Sequence, residues 1–117
     1  RRGGAVANIV DIHAERPLDG HLVYSVAKAG LVALTRSLAR ELAPHVRVNA
    51  VAPGAIAWPE DGILAAPAVQ RDIVRRTPLA HIGAPEDIAS AVHYLIAEAP
   101  FVTGQVLAVD GGRSIVL

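Results

Sequence analysis

Tyr24 and Lys28 stand four residues apart at the start of a long stretch of helical periodicity. Residues at i and i+4 share a helix face, so the phenol and the ammonium can point at one spot. A free tyrosine ionises at about pH 10, and a nearby cation favours the phenolate. Beside Lys28, Tyr24 is expected to become a usable general acid near neutral pH. The ammonium also has donors available for a sugar hydroxyl. Thirteen residues before Tyr24, Asp11 closes an apolar run and adds a carboxylate to the phenol and the cation. A bare Y-x-x-x-K also arises by chance on helix surfaces. The surrounding elements must therefore carry the assignment.

Those elements alternate. Residues 5–11, AVANIVD, form a short apolar, β-branched run, expected to be a strand buried on both faces as in a parallel sheet. Residues 12–21 read as a loop with the turn formers Pro17, Asp19 and Gly20. From 22 to 42 the period is helical, and Ala27, Leu31, Leu34, Leu38 and Leu42 make one continuous stripe. A second face of small residues, Ala29, Gly30, Ala33 and Ser37, would let another element approach closely. Gly30 costs about 1 kcal/mol of helix propensity relative to Ala, which implies a packing reason for it. Pro44 ends the helix. Residues 46–52 form a second strand, stopped by Pro53-Gly54, and a loop with Trp58, Pro59 and Gly62 follows. Residues 67–76 can make a short polar helix. A further helix over 85–98 opens on Pro85-Glu86-Asp87, with proline at the first helical position and two acids at the positive end. A third strand over 105–109 runs into Asp110-Gly111-Gly112. Strand, helix, strand, helices, strand predicts an α/β fold of parallel strands with right-handed crossovers, in a single domain over 1–117.

Composition narrows the function classes. Of the 117 residues, 52% are apolar, and the aromatics are only Tyr24, Trp58, Tyr94 and Phe101, so the core must be aliphatic. Formal net charge is zero and the arginines are scattered, which argues against a nucleic-acid surface. Without cysteine there is no disulfide framework or thiolate nucleophile. His13, His21, His45, His81 and His93 lack metal-ligand spacing, and Ser25 and Ser37 lie outside any nucleophile elbow. No apolar run approaches the roughly 20 residues of a bilayer span, and no signal peptide is evident, so a cytoplasmic protein without a membrane partner is expected. A strand pattern that begins a few residues in is expected of the C-terminal part of a longer protein.

Together, NIVD, YSVAKAGLVALTRSLARELAP, VRVNAVAPGAI, GAPEDIA and VTGQVLAVDGG resemble the C-terminal half of a short-chain dehydrogenase/reductase. The resemblance covers nearly the whole chain, in the family's order and spacing. It implies the C-terminal part of a Rossmann-like, doubly wound parallel sheet with flanking helices, binding NAD(P)H. It implies that Tyr24 is the proton donor or acceptor, and that Lys28 lowers the Tyr24 pKa and binds the nicotinamide ribose. Pro53, Gly54 and Ile56 would line the nicotinamide, with the amide of residue 56 meeting the carboxamide. Trp58 stands where the family often has threonine. NADPH is the expected cofactor; NADH stays open, because the selecting segment belongs to the N-terminal half. The family's Gly-rich phosphate turn has no counterpart here, since Gly3-Gly4 precedes a strand. Dimers and tetramers built on the long helix and the last strand are expected.

Asp11 is the departure. Most of the family carries serine there, bonded to a substrate carbonyl. A carboxylate would repel a developing alkoxide, whereas reduction of a C=N bond needs a proton at nitrogen. The segment VDIHAERPLDGHLVYSVAKAG resembles the pteridine reductase branch, including Pro17-Leu18 and Gly20. The expected activity is NADPH-dependent reduction of a pterin or dihydrofolate-type ring, with Asp11, Tyr24 and Lys28 catalytic and Asp11, Pro17, Leu22 and Trp58 against substrate. His21 beside Leu22 can also reach substrate. Trp58 can stack on a flat ring or anchor its loop. Asp11 alone would otherwise cap a turn, and Asn49 and Asp110 are expected to fix turns. Two other readings stay open: a ketone reductase such as a 3-oxoacyl-carrier-protein reductase, and a non-catalytic fragment that acts only in packing or assembly.

Overall fold

In the computed structural model, residues 3–14, 19–58 and 62–117 are described. Three parallel strands form one sheet in the order β1 (Gly4–Ile9), β2 (Val46–Pro53), β3 (Val106–Val109). Gly4 pairs with Val46 and Ile9 with Val51; Ala50 pairs with Val106 and Pro53 with Val109. Helix α1 (Leu22–Leu42) crosses from β1 to β2. Helices α2 (Pro67–Arg76) and α3 (Pro85–His93) lie between β2 and β3. This is the α/β architecture expected from the alternation.

Central β2 anchors the core. Its valines and alanines suit a strand covered on both faces; Val48, Ala50 and Val51 are fully buried. On one face Ala50 and Ala52 cluster with Val10, Ile12, Ala14 and Val32. β1 departs from the expectation of a strand buried on both faces: Val6 and Ile9 are 40% and 44% exposed. Among the described residues it pairs on one side only, with β2, so its outer edge is open.

The helix boundaries at 22–42 and 67–76 follow the sequence reading, but the buried face of α1 does not. Ser25, Val32, Thr35 and Ala39 are buried, with Lys28 half-buried between them. In the expected leucine stripe, Leu34 and Leu42 are 49% and 39% exposed. Small side chains let the helix approach the sheet, and Thr35 takes a hydrogen bond from the Asn8 amide at 3.0 Å. The small-residue face stays exposed, and a Cβ on Gly30 would meet nothing within 4 Å. By length and mean hydropathy (1.3 over 18 residues), α1 does reach the scale of a bilayer span. That corrects the expectation of no such run; a core crossover helix meets the same criterion.

The expected helix over 85–98 changes pitch: α3 ends at His93 and a π-helical turn covers Tyr94–Glu98. Asp87 accepts the Ala84 N–H at 2.7 Å and so caps the start of α3. Arg47, from β2, donates to the carbonyls of Leu95 at 2.7 Å, Ile96 at 2.9 Å and Val102 at 3.4 Å. The guanidinium fork thus satisfies carbonyls that a terminating helix leaves bare.

Asn49, buried mid-strand, ties β2 to the turn before β3. Its amide donates to the Val102 carbonyl at 3.0 Å and its oxygen accepts the Gln105 N–H at 3.0 Å. Asn49→Ala removes both bonds and leaves the Gln105 N–H without its acceptor. The substitution is expected to cost about 2 kcal/mol or more. The readout is a lower urea midpoint at unchanged slope; a loss under about 0.5 kcal/mol would show that the two bonds do not hold the turn.

Candidate active site

Asp11 follows β1, two residues past its last paired position, at the carboxyl edge of the sheet. The chain turns at once into a single 3₁₀ turn, Ile12–Ala14. Asp11 starts that turn in two ways: its carbonyl accepts the Ala14 N–H at 3.0 Å, and its Oδ1 accepts the His13 N–H at 2.8 Å. This leaves Oδ2 facing the first turn of α1, where the Tyr24 hydroxyl donates to it at 2.5 Å. The acid therefore caps a turn and meets the tyrosine at once.

This bond sets the acidity of Tyr24. The hydrogen bond to Asp11, then burial, then repulsion between the carboxylate and a would-be phenolate push its pKa up to about 12. That reverses the expectation of a tyrosine made acidic by its lysine. Lys28 Nζ lies over the Tyr24 ring, 5.8 Å from the centroid. It makes a cation–π approach to the ring face, and the hydroxyl itself is engaged by Asp11.

Asp11, Tyr24, Pro53 and Gly54 line one cleft of about 850 Å3, together with Ile12, His13, His21 and Ala55. It opens at the carboxyl ends of β1 and β2, where open α/β sheets place ligands. Leu64 and Ile73 line it from the segment before α2 and from α2 itself. Gly54 is required there by packing: a Cβ would lie 2.7 Å from the Cβ of Asp110 at the end of β3. His21 meets the Tyr24 ring edge-on, centroids 6.4 Å apart, and its Nδ1–H donates to the Asp19 carbonyl at 3.0 Å.

The other expected site residues fall elsewhere. Ile56 is not on the cleft wall; its Cδ1 would be 2.9 Å from a Cβ on Gly83. Leu22 is 77% exposed and borders a separate hollow with Gly20 and Val26. Trp58 lines a separate hollow with Pro67, Gln70 and Val74 of α2, outside the cleft. Pro17 lies outside the described residues. Among those residues, no group of three His, Cys, Asp or Glu side chains could hold a metal ion.

Sequence reasoning missed Arg113 and Leu117, which line the same cleft. Asp110 brings them there. Its Oδ1 accepts the Gly112 N–H at 2.9 Å and its Oδ2 the Ser114 N–H at 2.8 Å. Burial raises the Asp110 pKa, but these bonds outweigh it and hold the carboxyl below its usual range. Gly112 supplies the left-handed φ of 90° that this turn requires. The Asp-Gly-Gly after the last strand was the available signal: it folds the chain back over the carboxyl ends of the strands.

Known proteins bear on this geometry. The family profile described as enoyl-(acyl carrier protein) reductase matches residues 1–114. Carbonyl reductase family member 4 of Danio rerio is 43% identical over 98% of this chain and 47% of its own length. The 3-oxoacyl-[acyl-carrier-protein] reductase FabG of Aquifex aeolicus is 40% identical over 96% of this chain and 46% of its own. A crystal structure from Brucella melitensis, described as a short-chain dehydrogenase/reductase of the glucose/ribitol dehydrogenase type, superposes with a TM-score of 0.79. It is 33% identical, over 93% of this chain and 43% of its own. The chain thus spans less than half the length of the curated relatives named here. With its parallel sheet and its Tyr24–Lys28 helix, it belongs to the short-chain dehydrogenase/reductase family.

Proposed function

We propose that this chain forms the substrate-facing half of an NADPH-dependent reductase acting on the C=N bond of a pterin or dihydrofolate-type ring. The observation that carries this reading is the 2.5 Å hydrogen bond from the Tyr24 hydroxyl to Asp11. A carboxylate beside the proton donor would oppose an alkoxide growing on a ketone. The same carboxylate is an acceptor for the ring N–H and amino groups of a pterin.

The residues present suit the nicotinamide–ribose end of the cofactor. Tyr24 and Lys28 offer hydroxyl and ammonium groups, and Pro53 and Gly54 give a wall without charge beside them. When bound, the reduced nicotinamide supplies a hydride to the ring carbon. The chain's own residues handle the proton. Substrate N–H donors take over Asp11 Oδ2 and release the Tyr24 hydroxyl from it. The main cause of the raised pKa is then gone, and the Lys28 cation favours ionisation. Tyr24 passes its proton to the ring nitrogen as that nitrogen gains an electron pair, and the phenolate is reprotonated from solvent. The 3₁₀ turn keeps Asp11 in place throughout, because His13 N–H holds the other carboxylate oxygen. The long helix and the last strand are proposed to join copies of the protein into a dimer or tetramer.

Ketone reduction is the second reading, favoured by the named relatives, a carbonyl reductase and a 3-oxoacyl reductase. Purified full-length protein decides between them, assayed with NADPH on dihydrobiopterin and on a 3-oxoacyl thioester. Asp11→Ser is expected to reduce pterin turnover about a hundredfold or more. Unchanged pterin turnover in the variant, or wild-type preference for the thioester, would sink the C=N assignment.

Titration gives an independent check. In the cofactor-free protein, the phenolate absorbance lost in Tyr24→Phe should rise with a midpoint at about 12. Asp11→Asn should move it down towards 10. Because the folded pKa lies above the ordinary value of 10, the bond stabilises the fold fully below pH 10. That contribution is lost as pH rises through about 12. A midpoint that ignores Asp11→Asn would show that Asp11 does not set it.

A further inference from the structure

Among the described residues lining the cleft, Arg113 alone carries a permanent positive charge. It is half-buried, and its guanidinium makes no hydrogen bond or ion pair with any described residue. Arg47 donates to three carbonyls, and Arg75 and Arg76 both pair with Asp72; Arg40 and Arg71 likewise have no partner among the described residues, but they are exposed and lie off the cleft. The backbone under Arg113 is fixed. Its N–H donates to the Asp110 carbonyl at 3.1 Å, and the Asp110 carboxylate holds Gly112 and Ser114 on either side. A guanidinium held on a cleft wall, partly withdrawn from water and without an acceptor among the described residues, presents a planar fork of donors that matches an oxyanion. Asp11, on the same cleft, offers only acceptors. The two walls therefore ask for opposite features of one ligand.

We propose that Arg113 is a specificity residue that binds an anionic group, carboxylate or phosphate, carried by the substrate away from its reacting ring. The identity of that ring rests on the C=N reading above; the anion site rests on Arg113 alone. The cleft then favours a substrate with N–H donors at one end and an oxyanion at the other over a neutral ring of the same type.

The test uses the full-length protein with Arg113→Gln and Arg113→Lys, each first shown to keep the wild-type melting temperature. Dihydrofolate, which carries carboxylates, is compared with dihydrobiopterin, which carries none. In Arg113→Gln, KM for dihydrofolate should rise about tenfold to a hundredfold with kcat within about twofold. KM for dihydrobiopterin should stay within about twofold, and Arg113→Lys should recover part of the loss. Inorganic phosphate and benzoate, as competitive inhibitors of wild type that fail against Arg113→Gln, separate a phosphate from a carboxylate preference. Equal KM changes on both substrates, or none on dihydrofolate, would overturn the proposal. If neither pterin is turned over, a 3-oxoacyl coenzyme A thioester and its neutral N-acetylcysteamine analogue take their place. A KM effect confined to the coenzyme A thioester then keeps the anion site while the C=N reading fails. No such effect overturns the anion site as well.

Discussion

The structure depends on β2 being hydrogen-bonded on both sides. A buried strand has no water for its amides and carbonyls, so its neighbours must supply every partner. β1 and β3 do so in parallel register, and that register brings the carboxyl ends of all three strands to one rim. The site follows from this constraint. Asp11 leaves β1 there, Pro53-Gly54 ends β2 there, and Asp110 ends β3 against Gly54. Asn49 and Arg47 extend the same principle to side chains: they take up the carbonyls that the helix and turn before β3 leave open. Parallel pairing thus places the groups, and side-chain hydrogen bonds hold the loops that carry them.

At the rim, acidity is decided by competition for one carboxylate. Lys28 and Asp11 act on Tyr24 with opposite sign, and distance decides which prevails. Asp11 touches the hydroxyl, whereas Lys28 lies over the ring. Asp11 therefore holds the Tyr24 hydroxyl less acidic than an ordinary tyrosine. Arg113 stands on the same cleft with the opposite charge. Reading such a site from the Tyr–Lys pair alone leaves out the acceptor that engages the Tyr24 hydroxyl.

Much of the framework was legible in the sequence because the relevant signals are local. Periodicity over 22–42 and the proline at the head of α2 and of α3 mark elements that depend on near neighbours. The face that α1 buries was not legible. That helix is apolar around most of its circumference, so adjacent stripes compete, and close approach to the sheet selected the smaller residues Ser25, Thr35 and Ala39 over the leucines. Asp11 and Tyr24 could be paired by spacing, since one turn and one helix start separate them. Ile56, Leu22 and Trp58 lie in or beside loops, whose paths depend on what they pack against. Arg113 was invisible for a related reason: only the fold-back at Asp110 returns it to a cleft whose other walls lie far away in sequence.

The open edge of β1 has a geometric consequence. Val6 and Ile9 stay partly exposed along it, and its outer amides and carbonyls face away from β2. A strand joining that edge in parallel must obey the same rim rule as β2 and β3. Its last residue would emerge about 5 Å from the end of β1, next to Asp11. The acid would then cease to mark the border of the sheet and become its midline, with the cleft divided between two stretches of chain that meet only through backbone hydrogen bonds.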